Sequence, residues 1–175
     1  KSYINQNSYT LLPEGGTNDL AIKGCREILT QNDHVFDTIA VAVGTGGTFL
    51  GLSQSCTAQQ QLLGFMAVND PKVVAFIEKH KSSLSPRLLI DEFIFGGYGK
   101  VPNSLVDFIN EFHQTHKILL DPTYTGKMLF GIFDLVKRGV FAPGTQILAI
   151  HTGGLQGIEG MNRILKKKNL PLLEI

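Results

Sequence analysis

The chain has 175 residues, 43% hydrophobic and 18% charged, with a formal net charge of +1. This composition suits one globular domain with a sizeable core and excludes a disordered segment. Lys plus Arg number 16 against 15 for Asp plus Glu, a balance that argues against a dedicated nucleic-acid binder. No apolar stretch approaches the roughly 20 residues of a membrane-spanning helix.

The sequence opens on Lys1-Ser2-Tyr3 rather than Met, shows no signal peptide, and reads as the later part of a longer protein in a reducing, cytoplasmic setting. Ser8 to Leu12 is strand-like. Pro13-Glu14-Gly15-Gly16-Thr17-Asn18 is a turn ending in good N-cap residues. Apolar positions at Leu20, Ala21, Cys25, Ile28 and Leu29 then trace one helical face, which makes Cys25 a small core residue. Neither Cys25 nor Cys56 has a CxxC neighbour, so neither reads as a redox or zinc motif. Thr38 to Val43 is a buried strand, followed by Gly44-Thr45-Gly46-Gly47-Thr48 and a helix to about Ala58.

Leu62 to Val68 reads as a second buried strand, and Pro71 starts a helix to about Ser82 with Val73, Val74 and Ile77 on its apolar face. Arg87 to Ile90 is a shorter strand. The loop Gly96-Gly97-Tyr98-Gly99-Lys100 leads to a helix from Pro102 to about Thr115. After the short apolar run Ile118-Leu119-Leu120 comes the turn Asp121-Pro122-Thr123. A helix to about Arg138 then places Met128, Ile132 and Leu135 on one face. Gln146 to Ile150 is a strand ending in His151-Thr152-Gly153-Gly154, and Lys166-Lys167-Lys168 reads as a solvated helix end. Apolar strands alternating with helices predict an α/β fold, a mostly parallel sheet with helices on both faces. Ligands of such sheets gather at the carboxyl ends of the strands.

The turn at Gly44 to Thr48 carries the clearest chemical signal. A buried strand feeding a glycine-rich turn that opens a helix aims backbone N–H groups and the positive end of the helix dipole at an anion. A Walker P-loop needs a lysine after the last glycine, and none follows Gly47. A dinucleotide fingerprint needs a third glycine where Phe49 stands, although Asp70 could mimic its ribose-binding acid. A glycine turn with no ligand is the plain structural alternative.

Several segments in order go further. Pro13 to Asn18, Gly44 to Thr48, Gly97-Tyr98-Gly99, Leu120 to Lys127 and His151 to Gly154 resemble the 1-aminocyclopropane-1-carboxylate deaminase and D-cysteine desulfhydrase family. These are pyridoxal-phosphate enzymes of the tryptophan-synthase-β-like fold. The resemblance implies that residues 1–175 are the C-terminal part of a cofactor-binding large domain, with an incomplete sheet and exposed apolar edges. It implies that Gly44, Thr45, Gly46, Gly47 and Thr48 cradle the phosphate of pyridoxal 5′-phosphate. Tyr98 and Tyr124 match the family's active-site tyrosines, as acid/base or orienting groups. Thr125 and Thr152 are placed near the pyridine nitrogen, and Pro13 to Asn18 borders the site.

A neutral hydroxyl at that nitrogen makes the ring a weaker electron sink than a carboxylate would. The ring-opening deaminases carry Glu where this chain has Thr125, a departure that favours desulfhydrase-like chemistry on a small amino acid. That chemistry is loss of an α-proton, elimination of a β-leaving group, and release of an oxo acid and ammonia. The deaminase itself and a non-catalytic phospholigand-binding domain are the alternatives. No segment here matches the one bearing the family's Schiff-base lysine, and Lys127 matches a different family lysine. The 175 residues alone are therefore expected to be inactive. The family also implies a homodimer. His151 reads as a structural strand-end residue, and His34, His80, His113 and His116 as surface residues.

Overall fold

The computed structural model describes residues 12–80 and 86–174. The strand expected over Ser8 to Leu12 lies, but for Leu12, outside the described residues, as does the end of the helix expected to reach Ser82. Four strands, β1 (Thr38–Val43), β2 (Gln61–Met66), β3 (Arg87–Ile90) and β4 (Ile147–Ile150), form one sheet in the order β3-β2-β1-β4. Every pairing is parallel. The helices are α1 (Asp19–Cys25), α2 (Gly47–Ser55), α3 (Pro71–His80), α4 (Asn103–His116), α5 (Thr125–Lys137) and α6 (Gly157–Lys167).

Six consecutive apolar or β-branched residues make β1 the central strand, buried along its whole length. Its side chains alternate between two cores, as the twofold period of a strand requires. Ile39, Val41 and Val43 face Phe49, Leu50 and Leu52 of α2, Ile77 of α3 and Ile22 of α1. Ala40 and Ala42 face Met128, Ile132 and Leu135 of α5, together with Leu63, Phe65 and Phe93. Alanines on that side let α5 come close. Behind it, Leu105, Val106 and Ile109 of α4 meet Ile158, Met161 and Leu165 of α6 in a third core. The fold is thus the parallel, double-covered α/β sheet expected. Its edges are less covered than its centre: Leu88 of β3 is 52% exposed and all four residues of β4 are half-buried.

One local reading changes, and two others gain a packing reason. α1 ends at Cys25 after seven residues. The expected apolar face therefore does not extend to Ile28, Leu20 is 81% exposed, and Ile22 is the residue that enters the core. Helical periodicity carried past the end of a short helix assigns the wrong face. The short apolar run Ile118 to Leu120 lies outside the sheet, and its Leu120 packs with α4 and α6. Phe49, standing where a dinucleotide motif needs glycine, lies over Gly64 of β2, where an added Cβ would sit 2.6 Å from the ring. The small residue that brings helix and sheet together has moved from the helix to the strand.

Candidate active site

The strand order places the site. From β1 the chain crosses to β2 on one side, and β4 returns to the other side of β1. This reversal is a topological switch point, where parallel sheets open a crevice at the strands' carboxyl ends. Val41 pairs with Ile150 across β1 and β4, so the loops that follow, 44–48 and 151–154, leave the sheet side by side. Between them is a cleft of about 310 Å³, at the small end of the ~300–1,000 Å³ typical of ligand sites.

One wall is the Gly44 to Thr48 turn. Gly46 adopts φ +92°, a left-handed conformation that glycine takes without steric cost. It is the N-cap of α2 and, lacking a side chain, makes no side-chain cap bond to the first amides of that nine-residue helix. A second wall comes from the 3-10 turn Glu14–Gly16 and from Thr17. The hydroxyls of Thr17 and Thr45 are hydrogen-bonded at 2.5 Å. A Cβ on Gly47 would lie 2.8 Å from the Thr17 hydroxyl, and one on Gly15 2.6 Å from that of Thr45. These two glycines let the segments interlock. Thr48 accepts a long hydrogen bond from the Cys25 thiol, 3.9 Å away. Cys25 therefore lines the cleft rather than the core, a correction to its sequence reading.

Tyr124 forms the third wall. A Cβ on Gly44 would come within 3.0 Å of its ring. Its backbone N–H donates to the Asp121 carboxylate, which also accepts from Thr123 N, Thr125 N and the Thr125 hydroxyl. One buried carboxylate thus orders the whole entry into α5. Burial raises the Tyr124 phenol above its ordinary range. The Tyr98 hydrogen bond and the charges of Tyr98, Asp121 and Glu14 act in the same direction. Tyr98 meets Tyr124 edge-on, with centroids 6.0 Å apart and planes at 67°. It is 63% exposed, at the mouth.

Thr152, Gly153 and Gly154 close the fourth side. Gly153 N donates to Nδ1 of His151, so Nε2 carries the imidazole proton and donates to the Leu119 carbonyl at 2.8 Å. His151 ties this loop to the segment before Asp121.

The structure therefore gathers Gly44, Thr45, Gly46, Gly47, Thr48, Tyr124 and Thr152 around one cleft, with Tyr98 joined through Tyr124. Thr125 is placed differently. It is fully buried, its hydroxyl donates to Asp121 Oδ2 and accepts from Asp121 N, and it does not line the cleft. Lys127 is also buried away from the cleft, with Nζ donating to the carbonyls of Ile94 and Gly97 at 2.8 Å each. Asp70 accepts from Lys72 N at the start of α3. Gly15 and Thr17 line the cleft from the Pro13 to Asn18 segment expected to border it, whereas Cys25 and Gln156 line it without any signal in the sequence pattern. The sequence pattern marks Asp121 as a turn residue; an Asp shortly before helical spacing is the signal that its carboxylate bonds the amides of the helix start.

No charged side chain lines the cleft among the described residues. An anion there would meet helix amides, hydroxyls, the Gln156 side chain and the Cys25 thiol. Fold and cleft define a parallel α/β domain with a polar cleft at its switch point.

No family model matches the chain. It is 33% identical over 168 residues to a Pyrococcus abyssi protein named as a candidate 1-aminocyclopropane-1-carboxylate deaminase, covering 85% of this chain and 50% of that one. It is 31% identical over 163 residues to a D-cysteine desulfhydrase of Klebsiella pneumoniae, covering 82% of this chain and 50% of that one. A crystal structure described as an ACC deaminase homologue superposes with a TM-score of 0.68 at 28% identity, over 83% of this chain and 48% of that one. The matched residues make this chain a relative of the 1-aminocyclopropane-1-carboxylate deaminase and D-cysteine desulfhydrase family. The chain spans about half the length of the curated relatives it matches. No helix among the described residues is long and apolar enough to cross a membrane.

Proposed function

We propose that this chain is the cofactor-phosphate half of a pyridoxal 5′-phosphate-dependent lyase acting on a small amino acid, with D-cysteine desulfhydrase-like chemistry. The observation that carries this reading is the N-terminus of α2, which has no side-chain cap from Gly46 and opens with Gly44 to Thr48 into a cleft that no charged side chain lines among the described residues. The donor set fits the group. Amides and threonine hydroxyls suit a phosphate ester, and the helix dipole supplies the favourable potential.

When bound, pyridoxal phosphate supplies an electron sink that stabilises a carbanion at the substrate's α-carbon. The residues of this chain would bind and orient around it. Gly44 to Thr48 would hold the phosphate, with Thr17 bracing Thr45 through their shared hydrogen bond. Tyr124, kept protonated by its burial and by Tyr98, would serve as a hydrogen-bond donor or acid rather than as a phenolate base. Tyr98, at the mouth, would contact the substrate. The Thr125 hydroxyl is committed to Asp121 in both directions, so the neutral partner of the ring nitrogen would be Thr152. Lys127, held by two backbone carbonyls, is not placed to act as the Schiff-base lysine.

The name of the Pyrococcus abyssi relative supports a second reading, 1-aminocyclopropane-1-carboxylate deamination. Homodimer formation and a reducing, cytoplasmic setting go with either reading. The test uses the full-length protein supplied with pyridoxal phosphate. It should acquire a visible cofactor absorption band and release sulfide and an oxo acid from D-cysteine faster than it turns over the cyclopropane amino acid. The reverse preference supports the second reading. A protein that stays colourless and inert to both rejects the two together.

A further inference from the structure

The Tyr98 loop is built to be held from outside. Phe95, Gly96 and Gly97 take successive left-handed φ values of +57°, +85° and +130°, and Gly99 takes +65°. For a bulky non-glycine residue such as Phe95 this conformation is strained, on the order of 1 kcal/mol. The loop is two successive turns, with Gly97 N donating to the Ile94 carbonyl and Lys100 N to the Gly97 carbonyl. Those same two carbonyls converge on Lys127 Nζ, 2.8 Å from each. Lys127 is only 1% exposed and stands three residues after Tyr124 at the start of α5. A lysine so deeply buried is rare unless its head group is paired. Here its partners are the two carbonyls that flank the strained residues.

We propose that Lys127 is a positioning residue that fixes the Phe95–Gly97 turn from α5 and so sets Tyr98 against Tyr124. The first turn of α5 then carries both tyrosines, Tyr124 through the backbone and Tyr98 through the Lys127 side chain. The clasp needs two N–H bonds, which the amine offers whether or not it is protonated. In K127M each carbonyl retains its backbone donor and the apolar stem is preserved, so the variant keeps its fold. The catalytic part of this inference rests on the lyase reading above; the clasp does not.

The test uses the full-length protein and two measurements. The first is backbone hydrogen exchange over residues 95–100. Exchange there should rise at least about tenfold in K127M, and less in K127Q, which retains a donor, while β1 keeps its protection. Unchanged exchange in the loop, or a loss of protection shared by β1, overturns the clasp. The second is a cycle of wild type, K127M, Y98F and Y98F/K127M assayed for kcat and KM. K127M should lower kcat at least about tenfold in wild type, since small misplacements near the chemistry are costly. It should cost less than about twofold in Y98F, because coupled residues are non-additive. Equal losses in both backgrounds overturn the positioning role. An inert wild-type protein counts against the lyase reading, and the exchange measurement then decides the clasp by itself.

Discussion

Replacing Asp121 with alanine tests how the entry to α5 is built. The carboxylate is 2% exposed and accepts four hydrogen bonds: Thr123 N at 2.9 Å, Tyr124 N at 2.8 Å, Thr125 N at 2.8 Å and the Thr125 hydroxyl at 2.7 Å. Hydrogen bonds to a charged group contribute about 1.5–3 kcal/mol each when measured singly. Four that share one acceptor are not additive, because water entering from the cleft re-solvates part of the set. Losing a side chain that bonds the amides of a helix start costs about 0.5–2 kcal/mol, as at an N-cap, and buried donors left unpaired add to that, so D121A should lose about 4 kcal/mol. D121N keeps an acceptor for Thr123 and Tyr124 but turns an N–H toward the Thr125 amide, and about 2 kcal/mol is expected. Urea unfolding of the purified protein measures both. The midpoint should fall in the order wild type, D121N, D121A, with the slope unchanged. A loss below about 1 kcal/mol for D121A, or equal losses for the two variants, would show that the carboxylate does not organise this helix start.

Three further outcomes follow from the same geometry. T125E places a second carboxylate against Asp121 in a fully buried position. It should destabilise the protein more than T125V and should not by itself create deaminase activity; a stable, ring-opening T125E protein contradicts the placement of Thr125. Burial pushes the Lys127 ammonium down to about 8, opposed by Asp121, whereas an unfolded lysine titrates near 10.4. Between those values the unfolded chain holds a proton that the folded chain has released. Wild-type stability relative to K127M should therefore rise with pH across this window, by about 3 kcal/mol in all, and a flat difference in urea midpoints from pH 7.5 to 10.5 counts against it. Finally, burial pushes the Cys56 thiol up to about 11, while Cys25 lines the cleft. Iodoacetamide should label Cys25 first, and pyridoxal phosphate should slow that labelling; equal rates at the two cysteines, or no protection, goes against the assigned cleft.

Much of this protein was legible in one dimension. β1 and β3 run over the residues expected of them; for β1 the reason is that a strand buried on both faces must be apolar throughout. The Gly44 to Thr48 turn was legible for a similar reason: few residue types can open a helix from a buried strand with free amides. Where the reading failed, the cause was packing. A pattern over Leu20 to Leu29 cannot say that the helix stops at Cys25. Nor does the short apolar run Ile118 to Leu120 say what covers it: Leu120 packs against α4 and α6.

The chain's own order of residues settles the fold class, the strands, and the turn that can receive an anion, since each follows from local periodicity and backbone chemistry. Tertiary structure decides what those parts do to one another. Thr125 and Thr152 look equivalent as hydroxyls beside motifs, yet Asp121 binds one and the cleft displays the other. Lys127, in sequence only one helix lysine among others, is buried with its amine on two carbonyls of a loop some thirty residues earlier. Both outcomes depend on distances between segments far apart in the chain, which no local pattern encodes.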